Sequence, residues 1–233
     1  MEEPIVIISH KYRFIFIKTA KTAGTSLEVY LSRHCGDDDI VTPIYPHVDP
    51  HKARNYTGRW NPARELLNSH GHGILATVRQ WIKGERFYNH IPARVARTRM
   101  KEDVWNSYYK FCIERNPWDK TLSHYHMLRK RSGGKLSFEE YLGKGNFCVN
   151  YPLYTDLGGG MLMDKIARYE SLDEELEQIF KILGIPFKGA LRVRAKSDTR
   201  KDRRPYQEVY TREQRETVDE AFSEEIAMHG YEY

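Results

Sequence analysis

Cysteine is scarce in this chain. The three present, Cys35, Cys112 and Cys148, are scattered and form neither a disulfide framework nor a CxxC metal pair. Long apolar runs are missing as well. The longest, Ile5-Val6-Ile7-Ile8 and Phe14-Ile15-Phe16-Ile17, hold four residues each, where a spanning helix needs about 20. The opening Met1-Glu2-Glu3-Pro4 lacks the basic and apolar regions of a secretory signal. There is no internal repeat and no low-complexity tract. These absences lead to the expectation of a reduced, soluble, cytoplasmic protein with no transmembrane segment. What is present supports a core: of 233 residues, 40% are hydrophobic and 30% charged, too apolar a mixture for a disordered chain. At roughly 150 residues per domain, the length fits one α/β domain with insertions.

The net charge of +5 is unevenly placed. Arg192, Arg194, Lys196, Arg200, Lys201, Arg203 and Arg204, against Asp198 and Asp202, account for all of it. Such a segment reads as a solvated loop, a nucleic-acid patch, or a flap over a polyanionic small molecule.

Two short apolar runs, Ile5 to Ile8 and Arg13 to Lys18, split by Ser9-His10-Lys11-Tyr12 predict two strands joined by a tight connection. A helix follows, with Leu27, Tyr30, Leu31 and His34 on one face. Residues 36–72 read as an irregular excursion holding at most short helices. A helix over about 74–82 aligns Leu75, Val78 and Ile82. A buried strand over 110–114 leads to Arg115-Asn116-Pro117, where Asn116 as N-cap and Pro117 at the first position start a helix reaching about Arg129. A strand over 165–169, an amphipathic helix over 172–183 stopped by Gly184 and Pro186, and a final helix over about 211–228 complete the pattern. Strands alternating with helices predict a parallel sheet covered on both faces.

The most informative stretch is strand, then Lys21-Thr22-Ala23-Gly24-Thr25-Ser26, then helix. A turn of small residues at a helix N-terminus exposes successive amides, a site for phosphate or sulfate. Gly24 permits close backbone approach, Thr25 and Ser26 add hydroxyls, and Lys21 brings a charge to the loop's mouth. Lys18, on the strand, reads as structural. The nucleotide-kinase signature GxxxxGK[ST] is absent, because here the lysine precedes the glycine.

Followed by Leu27, this loop resembles the 5′-phosphosulfate loop of the PAPS-dependent sulfotransferases, closest to the branch of carbohydrate enzymes and their bacterial relatives. Arg115-Asn116-Pro117-Trp118-Asp119-Lys120, with Ser123 further along, resembles that family's 3′-phosphate site. The family usually has arginine where Lys120 stands. His72-Gly73-Ile74-Leu75-Ala76-Thr77-Val78-Arg79, Arg168-Tyr169-Glu170-Ser171-Leu172 and the ending His229-Gly230-Tyr231-Glu232-Tyr233 also look similar, so the matches span nearly the whole chain. The resemblance implies one sulfotransferase domain over 1–233, a P-loop-NTPase-like parallel sheet flanked by helices. Within it, 36–72 and 84–105 would be acceptor-site insertions and 192–204 a nucleotide-closing loop.

The implied donor is 3′-phosphoadenosine 5′-phosphosulfate (PAPS), leaving as the bisphosphate PAP, with no metal expected. Its 5′ end would sit on Lys21, Thr22, Ala23, Gly24, Thr25 and Ser26. Its 3′-phosphate would meet Arg115, Ser123, Ser197 and Arg200, with Tyr206 on the same late loop; Ala195 stands where the family has asparagine. Trp118 offers a flat face for adenine, although tryptophan in a helix's first turn more often packs. Lys21 is assigned to the bridging oxygen of the leaving phosphate. The base is assigned to His72, with His70 in reserve. As His-Gly-His the two also read as legs of a zinc site or as capping histidines, but no Cys or carboxylate stands at ligand spacing. Tyr45, His47, His51, Tyr56 and Trp60 are candidates to stack on the acceptor, a glycan or other small hydroxyl compound, or to pack under the loop. The lack of an anchor fits a bacterial or viral member of the family. No nucleic-acid partner is expected. Two other classes stay open: a P-loop kinase, and a polyanion-binding module resting on 192–204.

Overall fold

The computed structural model describes residues 6–44, 47–68, 71–88, 90–191 and 204–233, with His72 as backbone only. Five strands, β1 (Val6–Ser9), β2 (Phe14–Ile17), β3 (Ile40–Val41), β4 (Tyr109–Glu114) and β5 (Lys165–Arg168), form one sheet in the order β3-β1-β2-β4-β5. β2, β4 and β5 run parallel, whereas β1 is antiparallel to both β2 and β3. The sheet is therefore mixed rather than wholly parallel. The connection from Ser9 to Phe14 is too short for a crossover and closes a hairpin instead.

Helices α1 (Gly24–Ser32), α2 (Ala63–Leu67), α3 (His72–Lys83), α4 (Ala93–Arg99), α5 (Glu102–Ser107) and α6 (Pro117–Arg131) come first along the chain. α7 (Phe138–Gly143), α8 (Tyr151–Tyr154), α9 (Leu172–Leu183), α10 (Arg212–Ala221) and α11 (Ser223–His229) follow. Alternation along the strands divides the core. Ile7, Phe14, Phe16, Phe111 and Ile113 pack with Leu27 and Leu31 of α1 and Leu176, Ile179 and Phe180 of α9. Val6, Ile8, Ile15, Ile17 and Cys112 face Phe87, Ile91, Ala96, Trp105 and Tyr154 on the other side. Both faces are covered by helices, giving one α/β domain. An aromatic cluster around Trp118, Tyr125, Tyr141 and Phe222 joins α6, α7 and α10. Among the described residues no helix is long and apolar enough to cross a membrane.

Three local expectations change. The excursion over 36–72 contains β3, which at two residues is too short to show alternation. The terminal helix breaks at Phe222, where φ −117° and ψ 21° leave the helical region. The third is the face of α3. It has the expected extent, but Leu75, Val78 and Ile82 point to solvent rather than into the core.

Candidate functional site

The β2–α1 loop is built around two lysines with opposite fates. Lys18 turns inward, its Nζ 2.9 Å from Thr25 Oγ1 and 3.5 Å from Glu28 Oε2. Its stem crosses Gly24 so closely that a Cβ there would lie 2.7 Å from Lys18 Cγ. The glycine is required by the lysine's own packing. Lys21 takes φ 62° and Ala23 φ 58°, left-handed values unusual outside glycine. That alternation, followed by a helix starting at Gly24, leaves amides without intrahelical partners at the positive end of the α1 dipole.

The strained turn is held from two sides. Asn150 accepts from Ala20 N at 2.8 Å and donates to Ala20 O at 3.2 Å. Arg115 Nη1 donates to Lys21 O at 3.0 Å. Thr22 is buried with its hydroxyl 2.9 Å from that of Thr19, so only its backbone can meet an anion. Ser26 is buried, and its N–H donates to Ala23 O at 2.9 Å.

Arg115 stands just past the end of β4, beside the end of β2. Its Nε and Nη2 donate to Asp119 Oδ2 at 2.9 and 2.5 Å, and its guanidinium lies 4.2 Å from the Tyr169 ring centroid. With the Lys21 carbonyl also bound, one N–H remains on each of Nη1 and Nη2. Asn116 caps α6 as expected, accepting from Trp118 N and Asp119 N. Ser123 is half-buried on the same helix. Trp118 is a packing residue: it is buried, donates to Asp219 at 2.7 Å, and stacks on Tyr206 at 6.2 Å between centroids.

Behind this junction lies a buried ionic network that the sequence did not disclose. Lys120 Nζ sits 2.8 Å from Glu114 Oε1 and 3.1 Å from Glu225 Oε2, all three side chains fully buried. Asn150 Nδ2 donates to the same Glu114 oxygen at 3.0 Å, while Glu225 accepts from Asn150 N and Tyr151 N. Burial, and next the Glu114 charge, push the Glu225 carboxyl up to about 7. The C-terminal helix thereby supports the residue that holds the Lys21 turn.

Lys21 lines a cavity of about 1240 Å³, with Tyr56, Tyr88, His90, His124 and Asn150 among its walls. Tyr56 comes from the 36–72 segment; Glu85, Phe87, Tyr88 and His90 come from 84–105. His90, at φ 48°, has Nδ1 3.3 Å from Lys18 O. His124 Nδ1 is 3.0 Å from the Tyr141 hydroxyl. Neither histidine carries a local sequence signal; the fold alone places them. His70, Ser197 and Arg200 lie outside the described residues, as do Tyr45, Ala195 and the side chain of His72, whose backbone opens α3.

Of the other stacking candidates, His51 is buried, with Nε2 2.9 Å from Thr42 O, and burial holds its pKa down. Trp60 packs under the Arg99 guanidinium at 4.3 Å, and His47 Nε2 lies 3.0 Å from His51 O. These three serve the loop. Among the described residues, no three His, Cys, Asp or Glu side chains are grouped to hold a metal ion.

No family model matches the chain. A crystal structure of a sulfotransferase from Alicyclobacillus acidocaldarius covers 94% of this chain and 96% of its own, at TM-score 0.43 and 19% identity. That likeness is too distant to bear on the reaction. An uncharacterized protein of Archaeoglobus fulgidus is 33% identical over 114 residues, which are 46% of this chain and 94% of the archaeal one. At that identity and coverage, the chain belongs to the family of this archaeal protein.

Proposed function

We propose that the protein transfers the sulfuryl group of 3′-phosphoadenosine 5′-phosphosulfate to a hydroxyl of a carbohydrate or glycolipid-like acceptor. One observation carries the reading: the Arg115–Lys21 hydrogen bond of 3.0 Å, which joins the two anion motifs at the ends of adjacent parallel strands beside a large cavity. Ligands of α/β sheets gather at the carboxyl ends of such strands. The donor has an anion at each end, and the sequence supplies a separate cationic motif for each.

In this reading the loop amides of residues 22–25 and Lys21 take the phosphosulfate, while Arg115 and Ser123 take the 3′-phosphate. Ser197 and Arg200 are proposed as further ligands of the same phosphate. Asp119 keeps the Arg115 guanidinium in one plane, so the phosphate meets a preorganised pair of donors. The acceptor oxygen attacks sulfur, the bond from sulfur to the bridging oxygen breaks, and PAP departs with that oxygen. Lys21 stabilises the charge that develops there. The acceptor's proton passes to a histidine. With Nδ1–H donated to the Lys18 carbonyl, His90 carries its basic nitrogen at Nε2, and it lines the cavity with Lys21. His90 is therefore the base that the geometry favours; His72 and His70 are the bases that the sequence resemblance favours. Losing more turnover in His90→Ala than in His72→Ala decides for His90, and the reverse order decides for His72.

The donor is tested by a thermal shift with adenosine 3′,5′-bisphosphate and, separately, with ATP plus Mg²⁺, on wild type and Arg115→Ala. The bisphosphate at about 100 times its Kd adds about 2.7 kcal/mol of stability, and the variant loses that gain. Stabilisation by ATP with Mg²⁺ alone would mean a kinase. Binding that is steeply salt-dependent and confined to long polyanions would mean a module resting on 192–204.

A further inference from the structure

Ile74, Leu75, Val78, Trp81 and Ile82 fall on one arc of α3, and all five face solvent, Leu75 at 69% and Ile82 at 66% exposure. Leu67 of the neighbouring α2 is 82% exposed. The cause lies on the inner side of the helix, where the contacts are polar. Thr77 Oγ1 donates to Glu65 Oε1 at 2.6 Å, and Arg99 Nη2 donates to Gln80 Oε1 at 2.7 Å. Arg99 also pairs with both Glu65 oxygens, at 2.8 and 2.5 Å. Trp81 Nε1 donates to Trp60 O at 3.1 Å, and the Arg59 guanidinium sits 4.6 Å from the Trp81 ring. The helix is docked by hydrogen bonds and ion pairs, which leaves its apolar arc outermost.

The charges around that arc are mainly cationic, with Glu85 the acid at its edge. α3 itself contains no acidic residue and carries exposed Arg79 and Lys83; Arg59 and Arg64 are also exposed. Glu65 is buried against Arg99, and Glu85 lies 3.8 Å from Lys83. We propose that α3 docks the protein on an anionic membrane surface. An apolar arc with a tryptophan, bordered by cations, is the arrangement that lies in a lipid interface. A second copy fits the charges less well. A two-fold contact would set this cationic border against itself. Gln80, on the opposite side of the same helix, lines the cavity, so docking sets the cavity about one helix diameter, roughly 10 Å, from the lipid. A lipid-borne hydroxyl acceptor suits this placement, a corollary that rests on the sulfuryl-transfer reading. The docking itself does not rest on it.

Vesicle co-sedimentation of the full chain tests the docking without any turnover. We expect retention on equal parts phosphatidylcholine and phosphatidylglycerol, weakening as salt rises, and little retention on phosphatidylcholine alone. Leu75→Glu with Ile82→Glu lowers partitioning by more than about tenfold. Arg79→Glu with Lys83→Glu removes the preference for phosphatidylglycerol. Both pairs are exposed, so melting temperatures should hold, and each pair serves if the other unfolds. Three results would overturn docking on lipid: no retention on the mixed vesicles, undiminished retention of both variants, or a dimer by light scattering that Leu75→Glu with Ile82→Glu dissolves. The last would assign the face to a second copy. Failure to retain the chain on any vesicle would leave the face to an acidic protein partner.

Discussion

α3 and α9 are near twins as sequence. Each is 12 residues long, each carries an apolar stripe, and each ends at a glycine with φ 68°, Gly84 and Gly184. Their surroundings treat them in opposite ways. α9 lays Leu176, Ile179 and Phe180 on the sheet, where Tyr30 stacks on Phe180 at 5.5 Å between centroids. α3 meets a carboxylate, a guanidinium and a backbone carbonyl, and it answers them with Thr77, Gln80 and the indole of Trp81. The hydrophobic effect favours burial wherever a partner surface exists. The polar anchor is satisfied only if the apolar arc stays outside. Periodicity thus announces a helix, while the neighbouring elements decide which side it hides.

The contrast predicts that removing the polar anchor hurts as much as removing the apolar one. Arg99→Ala strands the buried Glu65 carboxylate and should cost about 3–5 kcal/mol in urea unfolding. A loss below about 1 kcal/mol would show that something other than this pair holds α3. Ile179→Ala in α9 should cost about 2–5 kcal/mol through lost burial and the cavity left behind.

A smaller effect sharpens the same theme at Lys120, whose one charge serves two buried carboxylates. Glu225, lifted to about 7, has a folded pKa above its ordinary value of 4.5. Its contribution is therefore full below that ordinary value and is lost as pH rises toward about 7. Wild-type melting temperature should fall across this window relative to Glu225→Gln, whose profile is flatter there. The difference should correspond to a few kcal/mol at most. Only the slope is diagnostic, because the variant also weakens the contact to Lys120.

Much of the fold was legible because its signals are local. Asn116-Pro117 starts α6 at the expected residue, and Gly184 closes α9 where expected. The hairpin β1–β2 follows from two apolar runs around five polar or aromatic residues, Ser9 to Arg13. The candidate site was legible only where a motif is contiguous, at the Lys21 loop and the Arg115 junction. Asn150 clasps Ala20 across 130 residues of sequence, and nothing near Asn150 announces that role. His90 is equally silent, being one of ten histidines until the chain folds it beside Lys21. The outward face of α3 escaped for a further reason: its cause, the Glu65–Arg99 pair, comes from two other helices.

The smallest predicted effect is the one that most directly separates the twin helices. Leu75→Ser with Ile82→Ser removes two large apolar side chains, a change that in a core would be severe. In α3 those side chains already face water, so folding transfers little of their surface out of solvent. The pair should therefore shift unfolding free energy by no more than about 0.5 kcal/mol per site in lipid-free buffer. The corresponding change at Leu176 of α9, whose side chain is fully buried, should cost at least about 2 kcal/mol. If the α3 pair proved as costly as the α9 change, its arc would be covered in solution by another surface, and concentration-dependent unfolding would reveal a second copy of the chain. Near-neutrality would mean that the apolar character of the arc contributes nothing to folding, which leaves the surface it meets outside the fold as its physical use.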